Sequence, residues 1–171
     1  MKELQKYIRD IADFPKPGII YKDITPLLQN PGATERTTLA LLDFLRDSSI
    51  DKVVGIESRG FFFATLLAQR LGAGFVPVRK PGKLPFETHR ESYSLEYGED
   101  VLEVHVDAIQ KGEKVLIHDD VLATGGTAAA ACKLVEKMGG EIIQCNFLMD
   151  LAFLNGKEKL KGYEVTSLFT F

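Results

Sequence analysis

The sequence of 171 residues is poor in the side chains from which metal centres and disulfide frameworks are built. It has two cysteines, Cys132 and Cys145, and three histidines, His89, His105 and His118. The cysteines match no Cys-x-x-Cys pattern, and too few histidines accompany them for a zinc site. Structural zinc and disulfide scaffolds are therefore excluded, and we interpret both cysteines as buried thiols.

Long hydrophobic runs and a strong net charge are also missing. The longest apolar stretch, residues 61–68, is far shorter than the roughly 20 residues that span a bilayer. The first 18 residues have charges spaced through them, unlike a secretory signal. A formal net charge of -3 gives no overall attraction to nucleic acid or to anionic lipid. We expect a cytoplasmic protein with no nucleic-acid or membrane partner, in which a local cluster of donors binds any anion.

What remains is the composition of an ordinary globular protein. Hydrophobic residues make up 45% of the chain and charged residues 26%, which is typical of neither disordered nor membrane-embedded proteins. A chain of this length can bury a hydrophobic core that is stable without disulfides or a structural metal. We expect one domain over residues 1–171.

Apolar runs alternate with helical patterns through most of the chain. Strands are predicted at 52–57, 75–78, 115–117 and 142–149, and helices over 61–72 and 127–140. Strands alternating with helices predict an α/β fold with a mainly parallel sheet.

Other segments are less regular. Apolar residues recur at helical spacing over 4–11, which predicts a helix that the Pro-rich residues 14–18 terminate, and 14–26 are predicted to form a shaped loop. Asn30 and Pro31 predict the start of a helix that ends near Asp47 and has Leu39 on its apolar face.

A polar stretch without periodicity follows Lys80 and extends to Gly98. Its length is compatible with disorder or with a functional lid. After it, Leu102, Val104 and Val106 alternate with polar residues, which predicts a half-exposed strand.

The motif with the most chemical content is VLIHDDVLATGGT, residues 115–127. Its second part is a phosphate loop, defined here as Ala123, Thr124, Gly125, Gly126 and Thr127. Paired glycines let the backbone curl around an anion, the two threonine hydroxyls add donors, and the following helix offers its positive end. No GxxxxGK[ST] or GxGxxG pattern occurs, so ATPases and dinucleotide enzymes are excluded.

Two acids, Asp119 and Asp120, come just before the phosphate loop. Carboxylates at this point can accept hydrogen bonds from vicinal hydroxyls or hold water-ligated magnesium. A diol next to a phosphate predicts ribose 5-phosphate as the ligand. The alternative is a solvated acidic turn before a glycine-started helix.

At this motif the chain resembles the type I phosphoribosyltransferases. Further segments are similar to the signatures of the adenine-specific members, in the same order: FPKPGIIYKDITPLL (14–28), GIESRGF (55–61), VRKPGKLP (78–85) and ESYSLEYG (91–98). The resemblance implies the type I phosphoribosyltransferase fold, with an N-terminal hood over about 1–30 and a flexible lid over about 80–106. It also implies a homodimer that uses magnesium, Mg²⁺, and converts adenine and 5-phosphoribosyl 1-pyrophosphate to AMP and pyrophosphate.

The resemblance assigns a pyrophosphate site to two basic segments. Its residues are Glu57, Ser58, Arg59, Arg79, Lys80 and Lys83. Backbone N–H groups at a helix start, together with guanidinium and ammonium groups, can neutralise a polyanion. Taken alone, the first segment could be a helix cap with an exposed arginine, and the second a solvated charged face.

The base site is assigned by the same resemblance to Ile20, Lys22, Arg59 and Val121. Main-chain groups near Ile20 are expected to read the amine and a ring nitrogen of adenine, so a 6-oxo base would leave buried partners unpaired. Lys22 stands where relatives commonly have arginine, and Tyr21 where phenylalanine is frequent. By composition alone, residues 14–18 could be a mere connector.

Glu96 matches the family's acid/base carboxylate. A carboxylate near the base can take the proton that the attacking adenine loses in an oxocarbenium-like transition state. By itself, a glutamate in a polar loop is more often a nonfunctional surface residue. The metal is expected at Asp119 and Asp120, mainly through water and substrate.

His118 occupies a position where relatives commonly have an apolar residue. In an alternating strand it points away from Asp119, which favours a packing role over a catalytic one. Two alternatives to the adenine reaction remain: the same reaction on a 6-oxopurine, and a regulator that senses phosphoribosyl pyrophosphate without catalysis. A regulator would normally need an output module beyond these 171 residues.

Overall fold

The computed structural model describes residues 2–45, 48–94 and 99–171. Its helices and strands are, in chain order, α1 (Lys2–Gln5), β1 (Arg9–Ala12), β2 (Ile20–Asp23), α2 (Thr25–Gln29), α3 (Pro31–Leu42), β3 (Lys52–Ile56), α4 (Gly60–Leu71), β4 (Gly74–Val78), β5 (Thr88–Ser94), β6 (Glu99–His105), β7 (Lys114–Leu122), α5 (Gly126–Lys137), β8 (Glu141–Asp150) and β9 (Val165–Thr170). Two short 3-10 helices, Ala152–Leu154 and Gly156–Leu160, lie between β8 and β9.

Five parallel strands form the central sheet, in the order β4-β3-β7-β8-β9. This confirms the predicted α/β fold. The strand predicted at 115–117 is longer than its apolar part, since β7 continues through both acids to Leu122. Because all five strands are parallel, their carboxyl ends meet at one edge, where ligands bind in open α/β sheets.

Helices cover both faces of the sheet. On one face, α5 packs with the hairpin β5–β6 over buried side chains that include Val54 and Ile117. On the other, α3 and α4 pack over Val53 and Leu116. Adjacent strand residues thus enter opposite cores, which explains why these strands are almost continuously apolar.

The helix boundaries follow the predicted signals in two cases. The side-chain oxygen of Asn30 accepts a hydrogen bond from the N–H of Ala33 at 2.9 Å and caps α3, while Gly72 ends α4 with a φ of 64°. The predicted end of α3 is wrong, because the helix stops at Leu42 and Asp47 lies outside the described residues. Leu39 is also not on its buried face, since 45% of it is exposed.

No helix in the described part of the chain has the length and apolar character needed to cross a bilayer.

The helix predicted over residues 4–11 is wrong. Only α1 is helical, and the chain then forms the antiparallel hairpin β1–β2, in which Arg9 pairs with Asp23 at 2.6 Å. Tyr7 and Ile8 pack on the core beneath α3 and α4, and the strand that follows is paired across the hairpin. Long-range pairing has therefore overridden local periodicity.

A second hairpin, β5–β6, occupies part of the region for which disorder or a lid was expected. The strand predicted over 102–106 is present as the second half of β6, which ends at His105, but it is not half-exposed, because Leu102, Glu103 and Val104 are all buried. Glu103 tolerates burial because it accepts a hydrogen bond from the N–H of Gly82 at 3.0 Å and pairs with Arg90 at 2.8 Å.

Both cysteines are buried thiols, as predicted. The sulfur of Cys132 on α5 lies 3.6 Å from that of Cys145 on β8. The pair packs inside the hydrophobic core between helix and sheet.

Candidate active site

A cleft opens at the carboxyl edge of the sheet, where β3 and β7 end side by side. Its cavity of about 470 Å³ is lined by Tyr21, Glu57, Ser58, Arg59, Asp119, Asp120, Val121 and Ala123. The register of β3 with β7 brings the turn after β3 against the acids at the end of β7. Segments far apart in sequence are thus joined by sheet topology alone.

The phosphate loop connects β7 to α5. Gly125 has a φ of 76°, which glycine adopts without steric cost, and α5 begins directly after it at Gly126. A small cavity of about 60 Å³ lies inside the turn, lined by Asp119, Val121, Leu122, Ala123, Thr124, Gly125, Thr127 and Ala128. Free N–H groups at the start of α5 and two hydroxyls make this cavity suitable for one phosphate group.

The acid pair lies at the base of the cleft. Asp120 is 4% exposed and pairs with the Nε of Arg59 at 2.7 Å, while the partly buried Asp119 accepts a hydrogen bond from the N–H of Asp120 at 2.9 Å. Burial raises the pKa of Asp119 well above its usual value, and the neighbouring charge of Asp120 raises it further. Burial also raises the pKa of Asp120, against the opposing charge of Arg59.

Gly60, the first residue of α4, allows the two loops to meet. A Cβ at this position would lie 2.7 Å from Oδ1 of Asp119 and 3.1 Å from the carbonyl oxygen of His118. Any larger residue would therefore push the helix away from the acids. No sequence pattern indicates this contact, because Gly60 looks simply like the end of a polar turn.

Arg59 connects the acids to the N-terminal hairpin. Its guanidinium lies 4.8 Å from the ring centre of Tyr21, bonds the Tyr21 hydroxyl, and donates to the carbonyl of Lys22 at 3.2 Å. The ammonium of Lys22 is directed elsewhere, to Asp10 at 2.7 Å and over the ring of Phe171 at 4.1 Å. At position 22, therefore, the backbone rather than the side chain faces Arg59.

A second, more apolar cavity adjoins the cleft beneath the N-terminal hairpin. Its volume is about 460 Å³, and it is lined by Gly18, Ile19, Ile20, Lys22, Thr124, Leu151, Phe153, Leu154 and Phe171. The predicted base residues are thus divided: Ile20 and Lys22 line this cavity, whereas Arg59 and Val121 line the cleft. Its four C-terminal apolar side chains were not predicted from sequence, because they look like ordinary core residues.

The basic turn, residues 79–83, faces Glu57 at the end of β3. Glu57 accepts hydrogen bonds from the Nε of Arg79 at 3.2 Å and the N–H of Lys80 at 2.9 Å, and forms an ion pair with Lys83. Burial opposes ionisation of Glu57, but these donors outweigh it and lower its pKa. A cis peptide joins Glu57 to Ser58.

Lys80 differs from the other cations of the basic turn. Its ammonium donates to the hydroxyl of Tyr93 at 2.8 Å and pairs with Asp100, both on the hairpin β5–β6. Burial opposes the charge on Lys80, but the bond to Asp100 outweighs it and raises the pKa. Of the predicted pyrophosphate residues, Glu57, Ser58 and Arg59 line the cleft, and Lys80 connects to the hairpin.

His118 lies behind the acids and does not face the cleft. It is fully buried, its Nδ1 is 2.6 Å from the side-chain oxygen of Asn146, and the ring of Phe63 packs against it. Burial lowers its pKa from 6.5 to about 4. The neutral imidazole therefore packs on the face of β7 opposite to Asp119.

This burial predicts an acid-sensitive fold. The unfolded chain protonates His118 below pH 6.5 whereas the folded chain does so only near pH 4, so stability falls as pH decreases through that interval. The difference corresponds to about 3 kcal/mol. His118→Gln, which keeps a donor for Asn146, is expected to remove this part of the loss. Urea unfolding at pH 7, 6, 5 and 4 measures it, and parallel profiles for the two proteins would contradict it.

Two predicted features are not tested by this geometry. Glu96 lies outside the described residues. Among the residues that the structure describes, no group of three or more His, Cys, Asp or Glu side chains is arranged to hold a metal ion. The acid pair supplies two carboxylates, so a metal there would need further ligands from substrate and water.

Comparison with known proteins agrees with this geometry. The family model described as "Phosphoribosyl transferase domain" matches residues 26–169. The adenine phosphoribosyltransferase of Christiangramia forsetii is 67% identical over 169 residues, which cover 99% of each chain. The crystal structure of the Thermoanaerobacter pseudethanolicus enzyme of the same name has a TM-score of 0.97 and 50% identity, covering 99% of each chain.

A relative from Saccharomyces cerevisiae was solved with adenine and an imino-altritol bisphosphate bound. It is 43% identical with a TM-score of 0.93, and the match covers 98% of this chain and 97% of that one. Family model, sequence relatives and solved structures agree over nearly the whole length. The chain therefore belongs to the adenine phosphoribosyltransferases, within the phosphoribosyltransferase family.

Proposed function

We propose that this protein transfers the 5-phosphoribosyl group from 5-phosphoribosyl 1-pyrophosphate to adenine, giving AMP and pyrophosphate, as a purine-salvage enzyme. The observation that carries the proposal is the convergence of the phosphate loop, the acid pair and Arg59 around one cleft. Each binds a different part of the substrates, and positioning of this kind supplies much of the rate in group-transfer reactions.

The ribose 5-phosphate part fits the phosphate loop and the acids. The 5-phosphate enters the small cavity and accepts hydrogen bonds from backbone N–H groups and from the hydroxyls of Thr124 and Thr127. Asp119, which lines that cavity, and Asp120, which lines the cleft, accept hydrogen bonds from the two ribose hydroxyls. The ring is thereby held with its anomeric carbon over the cleft.

Pyrophosphate is released next to the turn after β3. Ser58 and Arg59 line the cleft there, and Arg79 and Lys83 reach the same turn through Glu57. These cations can exchange the carboxylate of Glu57 for the leaving group, and they then stabilise the negative charge that develops on it.

The base binds between the N-terminal hairpin and the phosphate loop. Ile20 and the backbone of residue 22 offer main-chain groups that distinguish an amine from an oxo group, while the side chains of Leu151 and Phe171 supply an apolar wall. Arg59 fixes the hairpin by bonding Tyr21 and the carbonyl of Lys22. Glu96 takes the proton that adenine loses.

Phosphoribosyltransferases generally use magnesium, and we include Mg²⁺ in the proposal. Asp119 and Asp120 place two carboxyl groups in the cleft, which fits a hard cation held partly through water and through the substrate's hydroxyls and phosphates. When bound, the metal would neutralise pyrophosphate oxygens.

We further propose a cytoplasmic homodimer. Large apolar side chains outside the cleft support an interface between copies, since Leu39, Phe62 and Phe86 are 45%, 45% and 56% exposed.

A substrate assay tests the reaction directly. Purified protein is mixed with magnesium, phosphoribosyl pyrophosphate and one base at a time, and pyrophosphate release is followed. We expect turnover with adenine and little with hypoxanthine, guanine or xanthine, because an oxo group leaves buried hydrogen-bonding groups unpaired. Preference for an oxo base would contradict the proposed base site, and no turnover with any base would favour a sensor.

A further inference from the structure

The phosphate loop has a neighbour that its own sequence does not reveal. Gly156, which begins the second 3-10 helix after β8, lies directly against it. A Cβ on Gly125 would be 2.2 Å from the carbonyl oxygen of Gly156, and a Cβ on Gly156 would be 2.2 Å from the carbonyl oxygen of Ala123. The two glycines therefore allow a backbone-to-backbone contact that no other residue pair would permit.

Glycine is needed at positions 125 and 156 for different physical reasons. Gly125 has a left-handed φ of 76°, so this conformation alone favours glycine there. Gly156 is not among the residues with positive φ, and it is buried. Glycine is therefore needed at 156 because the backbone lies so close to Ala123 and to Gly125, whose nitrogen would lie 3.1 Å from a Cβ.

The segment carrying Gly156 is fixed from two sides. Lys157 pairs with Asp150 at 2.9 Å, and the Asp150 side chain at the end of β8 is 3% exposed. Leu160, at the end of the same 3-10 helix, is buried in the core beside α5. The sheet edge and the core thus hold Gly156 at a set distance from the phosphate loop.

From this contact we infer that Gly156, held by the Asp150–Lys157 ion pair, is a positioning residue for the 5-phosphate of phosphoribosyl pyrophosphate. The inference rests on the proposed function, because it concerns the same phosphate loop. Gly156 touches no substrate. It acts by setting the shape of a cavity of about 60 Å³, in which a shift of the Ala123 carbonyl misaligns the phosphate donors.

Gly156→Ala tests the contact because it adds one methyl group at a backbone conformation that alanine can adopt. Inhibition constants are measured for ribose 5-phosphate, which carries the 5-phosphate, and for pyrophosphate, which does not. Because the added methyl group overpacks a close contact, we expect the inhibition constant of ribose 5-phosphate to rise by about tenfold or more. The inhibition constant of pyrophosphate should stay within about twofold of the wild-type value. A merely structural defect would raise both.

Gly32→Ala is the matched control. Gly32 lies in α3, its φ is not positive, and its nearest neighbour to a Cβ is the side chain of Asn30 at an ordinary 3.5 Å. Both constants should stay unchanged in this variant.

Lys157→Gln tests the same inference if Gly156→Ala does not fold. It leaves the buried Asp150 without its cation and should raise the ribose 5-phosphate constant by about threefold or more, again without affecting pyrophosphate. Unchanged or equally raised constants in a folded variant overturn the inference. Turnover of the wild-type protein with adenine, measured first, tests the proposed function separately.

Discussion

Replacing Glu96 by glutamine is expected to lower kcat by about 10²- to 10⁴-fold, the usual contribution of a positioned general base. Glutamine keeps the size of the side chain but cannot take the proton that adenine loses. The dissociation constant for phosphoribosyl pyrophosphate should change little, because the proposed role concerns the base. Steady-state kinetics and a direct binding titration separate these effects.

The control for this substitution is Glu99→Gln, which alters an exposed glutamate at the start of β6. It removes the same charge from a nearby position in the chain and should leave kcat unchanged. An unchanged kcat would remove Glu96 from the mechanism.

The second large effect is expected at Asp119, where a neutral side chain should lower activity without lowering stability at neutral pH. Asp119→Asn keeps an oxygen to accept from the N–H of Asp120 but loses the charge that we propose binds a ribose hydroxyl. A hydrogen bond to a charged group contributes about 1.5–3 kcal/mol, so kcat/KM should fall by roughly 10- to 150-fold.

Stability should be unchanged or higher at neutral pH. The folded protein raises the pKa of Asp119 above 3.8, so ionisation costs stability as pH increases beyond the pKa of the unfolded chain. Asparagine removes that cost, and the gain should vanish near pH 3. Thermal unfolding at pH 7 and pH 3 measures it, with Asp107→Asn as the control at an exposed position. A variant that loses stability at pH 7 would contradict this interpretation of the acid pair.

The central sheet was predictable because its strands bury both faces. Runs such as 53–56 and 147–149 are apolar without alternation, and two residues mark helix boundaries: Gly72 through its left-handed conformation and Asn30 through its side-chain cap. The hairpin β1–β2 was not predictable, because its pairing depends on partners across a loop and its exposed strand residues carry no strand periodicity. A local residue pattern indicates only the structure that local interactions determine, and not pairing with a distant strand.

The candidate site also has one part that was predictable from sequence and one part that was not. Asp119, Asp120 and the phosphate loop are adjacent in sequence, so their shared chemistry is visible in the order of the residues alone. The contact of Gly156 with Ala123 joins segments that only the β7–β8 pairing brings together. Similarly, the family resemblance placed Glu57 and the basic turn in one site, but no residue pattern around Glu57 indicates that the turn would fold back onto its carboxylate. Sequence shows which groups are available, and topology determines which of them meet.

The ion pairs of the basic turn also bear on how an anion reaches the site. Arg79 and Lys83 share the carboxylate of Glu57, and Lys80 is neutralised by Asp100, so these five residues together carry a formal charge of only +1. A nearly neutral basic turn exerts little long-range attraction on a polyphosphate. In the proposed function, this turn therefore adds little to the rate of encounter, and its selectivity for the anion arises after contact, when the carboxylate of Glu57 and a phosphate compete for the same donors.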